Sequence, residues 1–243
     1  MIKLAISGCA GKMGRRIIAL AAADRSLKAV IGLEQEAFIK DSPKLIGFKA
    51  SCNLDEIKRA DVLIEFSVPE ATMNCLKSAL KHKKAMVIGT TGLSEKQLIE
   101  IKKASGKIAI VLSPNMSIGV NLLFKLVKEA AEKLSKEYHV RITEAHHIHK
   151  KDAPSGTAKR LAEVIKNTSG REVSDIKAIR EGEIVGDHKV TFESPFDAIE
   201  LSHSAKTRDI FAKGALAAAK FIVGKKPGLY DMRDVIGEAA KQL

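Results

Sequence analysis

Between Glu144 and Ala158 the chain reads Glu-Ala-His-His-Ile-His-Lys-Lys-Asp-Ala-Pro-Ser-Gly-Thr-Ala, which gathers a histidine pair, two lysines and a helix-start pattern into fifteen residues. Three kinds of chemistry meet there. An imidazole such as His146 exchanges a proton near neutral pH, whereas Lys150 carries a positive charge and a proton to give. Read as an extended segment, alternate side chains share a face, so Glu144, His146, Ile148 and Lys150 are expected on one side. Asp152 and Ser155 are N-cap residue types, and Ala158-Lys-Arg-Leu-Ala-Glu-Val-Ile165 continues with a helical apolar pattern. The backbone N–H groups around Ser155, Gly156 and Thr157 then stand at a helix N-terminus, where a carboxylate or phosphate is favoured. A titratable base, a cation and an anion cradle predict an active site.

Three blander readings compete with that one. Adjacent histidines on a strand face opposite sides, so His146 and His147 do not chelate one metal together. His147 and His149 can share a face, but a zinc site normally takes three or four ligands. Cys9, Cys52 and Cys75 lie in the other half of the chain without metal-ligand spacing, so no metal is expected. The second reading is a solvated basic loop before an ordinary capped helix. The third is a nucleic-acid contact, which the basic residues permit and nothing else supports.

The elements that must position these groups begin at the other end of the chain. Ile2-Lys-Leu-Ala-Ile-Ser7 reads as a buried strand, Gly8-Cys-Ala-Gly-Lys-Met-Gly14 as a glycine turn, and Arg15 to Ala22 as a helix. Strand, glycine turn and helix in that order are the context of a dinucleotide fingerprint. Glycines let the backbone approach a pyrophosphate, whose charge meets N–H groups and the positive helix end. The spacing here is G-x-x-G-x-x-G, a weak signal alone. Glu34 ends the next apolar run (Ala29 to Leu33) in the register of an acid that hydrogen-bonds ribose hydroxyls.

Further strand–helix alternation follows. Asp61–Phe66, Ala85–Gly89 and Lys107–Leu112 read as strands, with helices near Asn53–Ala60, after Pro69 and from Ser94. A doubly wound parallel (Rossmann) sheet is expected, with the turns at 8–14, 67–70, 89–92 and 113–116 on its ligand-binding rim. The pattern then changes. A long amphipathic helix from Gly119, a strand from Tyr138 to Thr143 and strand candidates at 175–180, 188–193 and 198–203 predict a smaller α+β domain. Its open antiparallel or mixed sheet, covered on one face by two helices, leaves a face to bury and so predicts self-association. Thr207 to Val223 reads as a final apolar-striped helix. The domains are drawn at 1–117 with 208–243, and 118–207.

Composition narrows the class. A chain of 243 residues with 45% hydrophobic content can bury one large core or two. No apolar run approaches the ~20 residues of a membrane span, so no membrane partner is expected. Met1 leads straight into the first strand, leaving no room for a signal peptide, and three scattered cysteines suit a reduced, cytoplasmic setting. The formal charge of +12 is spread over the whole length, and aromatics are only 4%, which argues against a base-stacking surface. Anionic small-molecule ligands suit this charge better than nucleic acid.

Taken together, these residues resemble the 4-hydroxy-tetrahydrodipicolinate reductase (dihydrodipicolinate reductase) family. The resemblance rests on the glycine loop, Gly89-Thr-Thr-Gly92, Ser113 to Asn121, the Glu144–Ala158 block, Arg180 to His188, His203 through Arg208 to Ala215, and Gly228 to Val235. It implies that His146 and Lys150 are catalytic, exchanging protons at the substrate. His147, Ser155, Gly156, Thr157 and Thr91 would hold a small dicarboxylate. Gly8, Cys9, Ala10, Gly11, Lys12, Met13, Glu34, Gly89, Thr90, Thr91, Ser113, Pro114, Asn115 and Met116 would line NADH or NADPH. It further implies a homotetramer joined through the central sheets. Two positions depart from the family pattern. Many relatives place arginine after the acidic residue where this chain has Gln35, which favours NADH, and Ser67 and Val68 stand where threonine or arginine is frequent. The competing reading is a catalytically silent dinucleotide-binding regulator or a basic nucleic-acid-binding module; the intact His146, Lys150 and Ser155–Thr157 set argues against it.

Overall fold

The computed structural model describes residues 1–39 and 50–239, so part of the stretch from Glu34 to Ser51, where the sequence predicts a loop, lies outside the described residues. The chain divides into two compact units, Met1–Met116 with Phe211–Leu243, and Ser117–Ile210.

The first unit is built on a seven-stranded sheet of order β11-β6-β5-β4-β1-β2-β3. Its strands are β1 (Ile2–Ser7), β2 (Leu27–Leu33), β3 (Ala50–Ser51), β4 (Val62–Glu65), β5 (Ala85–Ile88), β6 (Ala109–Leu112) and β11 (Gly228–Tyr230). All pair in parallel. The alternation of side chains along them divides the core in two. Leu4, Ile6, Val62, Ile64, Val87 and Val111 point to one face, under helices α1 (Lys12–Ala22), α7 (Asp209–Ile222) and α8 (Met232–Ala239). Ala5, Leu63, Met86, Ile88 and Ile110 point to the other, under α3 (Pro69–His82), α4 (Glu95–Ala104) and a 3-10 turn at Leu54–Arg59. A short helix α2 (Glu36–Ile39) follows β2. The doubly wound reading holds. The order of winding reverses between β1 and β4, and the rim beyond their carboxyl ends is where such sheets take ligands.

Two strands went unread in the sequence. β3 has two residues and β11 three, too short for an alternation to show. The first helix also begins earlier than expected, at Lys12, because Gly11 already acts as its N-cap.

The second unit is a four-stranded mixed sheet of order β10-β9-β7-β8. β7 (His139–His146) runs parallel to β8 (Asp175–Arg180), while β9 (Gly186–Glu193) is antiparallel to β7 and β10 (Ala198–Ala205). Helices α5 (Ile118–Lys133) and α6 (Gly156–Ser169) cover one face, packing Leu123, Val127, Leu161 and Ile165 on Val140, Ile142, Val190 and Phe192. The opposite face carries the ion pairs Arg141–Glu193 and Lys189–Glu200.

Candidate active site

At the switch point of the first unit, β1 runs into Gly8, whose φ of +70° is left-handed and suits glycine. A Cβ on Gly14 would stand 2.2 Å from the Gly8 carbonyl oxygen, so this turn closes only without side chains. Gly11 caps α1 with no side-chain hydrogen bond of its own. Glu34 Oε2 accepts from the Ala10 N–H at 3.0 Å, tying the end of β2 to the glycine turn. A cavity beside them is lined by Ser7, Gly8, Glu34, Gln35, Ser67 and Asn74 among others. A backbone cradle at a helix start with a carboxylate on its flank fits the phosphates and ribose of a dinucleotide.

Several expected cofactor residues turn inward here. Cys9 is fully buried and burial pushes its thiol up to about 12; only its backbone faces the turn. Met116 is likewise in the core, with its carbonyl against Gly214. Thr90 is buried, and its hydroxyl donates to Glu65 and accepts from the Ser67 N–H at 3.1 Å. Lys12, Thr91 and Pro114 are exposed, while Met13 and Asn115 are half-buried. Ser113 spends its hydroxyl on the Asn115 carbonyl at 2.8 Å.

Glu65, the last residue of β4, is itself fully buried. Its carboxylate accepts from the hydroxyls of Ser67, Thr72 and Thr90. It therefore binds the loops after β4 and β5 and the start of α3 to one another.

In the second unit the strand placement explains the chemistry-bearing block. β7 extends to His146, so Glu144 and His146 share its buried face, as the alternation predicts. The chain then turns, with Lys150 N–H donating to the His147 carbonyl at 3.1 Å. Ile148 is 59% exposed, which corrects the expectation that Ile148 and Lys150 continue the same strand face. Lys150 instead lies in the turn, its Nζ 2.8 Å from Asp152 Oδ1 and its charge felt by His146. Asp152 thus holds Lys150, and Ser155 alone caps α6, accepting from the Ala158 N–H at 3.2 Å.

A buried polar network lies beneath. Glu144, with no exposed surface, takes the Ser155 N–H at 3.2 Å and Arg180 Nη2 at 2.9 Å on Oε1, and His146 Nδ1 on Oε2. The N–H of Ser155 is therefore engaged within the protein. Gly156 has open space where a Cβ would stand. His188, one strand over, meets Ser155 Oγ at 3.1 Å and packs edge-on to His146 with centroids 5.1 Å apart. His147 is half-buried, with Arg208 Nη2 3.4 Å from its Nε2.

These surroundings set the charges. Burial raises the Glu144 carboxyl, but Arg180, His146 and the Ser155 N–H outweigh it and hold the group below the usual range. Burial lowers His146, against the pull of Glu144 and with the help of Lys150 and Arg180. Burial takes His188 down to about 4. Both imidazoles are neutral at pH 7. Glu144, His146 and His188 stand close enough to ligate a metal ion. Arg180, Lys150 and the α6 N-terminus crowd that point with positive charge, and the carboxylate is already engaged, so the cluster suits proton exchange better than a cation.

Arg180 and His188 are the site residues that the sequence left without a role. They arrive on β8 and β9 from more than thirty residues away, and the signal that could have found them is the register pairing Glu144 with His188 and His146 with Arg180.

A doubly wound sheet with a glycine cradle and a flanking acid at its switch point, joined to a unit bearing a buried carboxylate–imidazole pair, defines an oxidoreductase dependent on a dinucleotide. Comparison sharpens that class. Residues 2–116 match the family described as dihydrodipicolinate reductase, N-terminus, and residues 119–236 its C-terminus. The chain belongs to the dihydrodipicolinate reductase family. It is 43% identical to the 4-hydroxy-tetrahydrodipicolinate reductase of Caldanaerobacter subterraneus subsp. tengcongensis, over 97% of this chain and 98% of that one. It is 39% identical to the reductase of the same name from Syntrophotalea carbinolica, over 98% and 99%. Among solved structures it superposes with a TM-score of 0.82 on dipicolinate-bound dihydrodipicolinate reductase from Paenisporosarcina sp. TG-14, at 24% identity and covering 96% of this chain and 98% of that one.

Proposed function

We propose that this protein reduces 4-hydroxy-tetrahydrodipicolinate to tetrahydrodipicolinate with loss of water, on the diaminopimelate route to lysine. The observation that carries the reading is the convergence of His146, Lys150 and the Gly156 end of α6 around one buried carboxylate. When bound, a reduced nicotinamide supplies the hydride. The chain's own residues do the rest. One substrate carboxylate docks on the N–H groups of Gly156 and Thr157, where the helix end favours negative charge. Lys150 and His147 add charge and hydrogen bonds, with Arg208 beside them. Once the ring hydroxyl has left as water to give a conjugated imine, hydride would add to ring carbon, electron density would move to nitrogen, and a proton from Lys150 or His146 would quench it; such general-acid help is worth about 10²–10⁴-fold. The dipicolinate in the Paenisporosarcina structure is a ring dicarboxylate of this class.

Glu34 and Gln35 border the cavity, and no lysine or arginine lines it among the described residues. A 2′-phosphate would meet Glu34 with no lysine or arginine of the cavity lining, among the described residues, to answer it, which supports NADH over NADPH. Gly8 to Met13, Gly89 to Thr91 and Ser113 to Met116 contribute mostly backbone to that binding, and Thr91 touches substrate. The protein acts in the cytoplasm as a homotetramer, without nucleic acid or membrane; no described helix is long and apolar enough to cross a bilayer. Light scattering that gives the mass of four chains checks the assembly. The decisive assay supplies enzymatically generated hydroxy-imine and follows nicotinamide absorbance. Absence of substrate-dependent oxidation of NADH and NADPH overturns the reading.

A further inference from the structure

The buried network beneath His146 constrains its protons more tightly than a generic titratable histidine. Glu144 is ionised and can only accept, so the ring nitrogen facing it, Nδ1, must carry a hydrogen. The other nitrogen, Nε2, has no hydrogen-bond partner among the described residues, and a Cβ on Gly186 would come within 3.1 Å of it. Glycine at 186 leaves that nitrogen clear. The carboxylate cannot swing away from the ring, because its other oxygen is pinned by two donors at once, Arg180 Nη2 at 2.9 Å and the Ser155 N–H at 3.2 Å.

We propose that Glu144 is a positioning residue that locks neutral His146 as its Nδ1–H tautomer, so that Nε2 is the one atom through which His146 exchanges a proton. The proposal rests on the reading of His146 as a proton-exchanging group, and it divides the labour left open above. At neutral pH, Nε2 arrives with a lone pair and accepts; the proton in hand belongs to the Lys150 ammonium. Arg180, on a separate strand, acts through Glu144 by fixing which carboxylate oxygen faces the ring. The ionisable groups around the ring are Glu144 on β7, Arg180 on β8, His188 with Asp187 and His203 behind it on β9 and β10, and Lys150 with Asp152 in the turn.

The pinning makes an unusual prediction for Glu144→Gln. Arg180 and Ser155 both demand an acceptor at the Oε1 position, so the amide oxygen must stay there and the NH2 group must face Nδ1. An NH2 group donates, so Nδ1 must become the acceptor and the hydrogen must move to Nε2. One isosteric change reverses the tautomer. Ring ¹⁵N spectra of the whole protein at neutral pH read this directly, with His146→Gln identifying the His146 signals. The expected result is Nδ1–H in the wild type and Nε2–H in Glu144→Gln. Turnover should fall about 100-fold, within the range of lost general acid–base catalysis, while NADH affinity holds. An Nε2–H or rapidly exchanging ring in the wild type overturns the lock, whether or not the variant folds. A wild-type-like ring in folded Glu144→Gln overturns it as well. A reversed ring with undiminished turnover supports the lock and removes His146 from the proton chemistry proposed above.

Discussion

Glu65 and Glu144 are both carboxylates with no exposed surface near the end of a parallel strand, yet their partners differ in kind. Glu65 is held by the hydroxyls of Ser67, Thr72 and Thr90. Glu144 is held by a guanidinium, an imidazole and a backbone N–H. Hydroxyls on three separate segments make Glu65 a tie among loops at the dinucleotide rim; nothing around it changes protonation near pH 7. Arg180 and His146 tie Glu144 instead to two charge-bearing side chains, which under the proposed function makes it part of a proton-handling unit. A buried carboxylate is costly unless fully hydrogen-bonded. The two units meet that demand with different donors, and the choice of donor separates architecture from chemistry.

That contrast can be broken from either side. The largest expected effect is on the chemical step: His146→Gln and Lys150→Ala should each lower kcat by about 10²–10⁴-fold. NADH binding, followed by fluorescence, should stay nearly unchanged, and lost cofactor affinity in either variant would show that the roles are wrongly divided between the units. Next comes Glu65→Ala, which strands the buried hydroxyls of Thr72 and Thr90 and the half-buried one of Ser67. It should cost on the order of 3 kcal/mol in denaturant unfolding and weaken NADH binding, with the pH dependence of kcat preserved. A shifted pH profile in that variant would erase the distinction between the two carboxylates.

Acid should destabilise the second unit through its histidines. His188 titrates at about 4 when folded and 6.5 in the reference state, so between those values the unfolded chain binds more protons. Stability is therefore fully present above pH 6.5 and is lost as pH falls toward 4, by no more than about 3 kcal/mol for this residue. His146 and His203, also lowered by burial, act in the same direction. Thermal scans of His188→Gln should show a flatter dependence across that window, and an unchanged slope would place the titration elsewhere. The smallest effect concerns the first unit alone: Gln35→Arg should shift the NADPH-to-NADH ratio of kcat/KM by about fivefold, the worth of one added exposed ion pair near its upper limit. A constant ratio would remove Glu34 and Gln35 from the ribose site.

Much of this was legible before any coordinates. The apolar runs from Ile2, Asp61 and Ala85, with helices between them, announced a parallel sheet because strands buried on both faces must be apolar throughout. Ser155 announced a helix start because its side chain can satisfy a free N–H. Glu144 and His146 announced a shared face because extended chain alternates. Each of these follows from local geometry that residue type controls. Lys150 escaped the same logic, since a turn after His146 ended the alternation, and β3 and β11 escaped because two or three residues carry no period.

By itself, then, the sequence determined the two kinds of sheet, the capped helix and the residue types able to move a proton or cradle an anion. Tertiary structure decided which of them meet. Arg180 and His188 reach Glu144 and His146 only through the registers of β8 and β9 on β7, and Thr90 reaches Glu65 only through the pairing of β5 with β4. Hydrogen bonds reach about 3 Å, while these partners stand from two dozen to more than forty residues apart along the chain; that distance is closed by strand pairing, which no local pattern records.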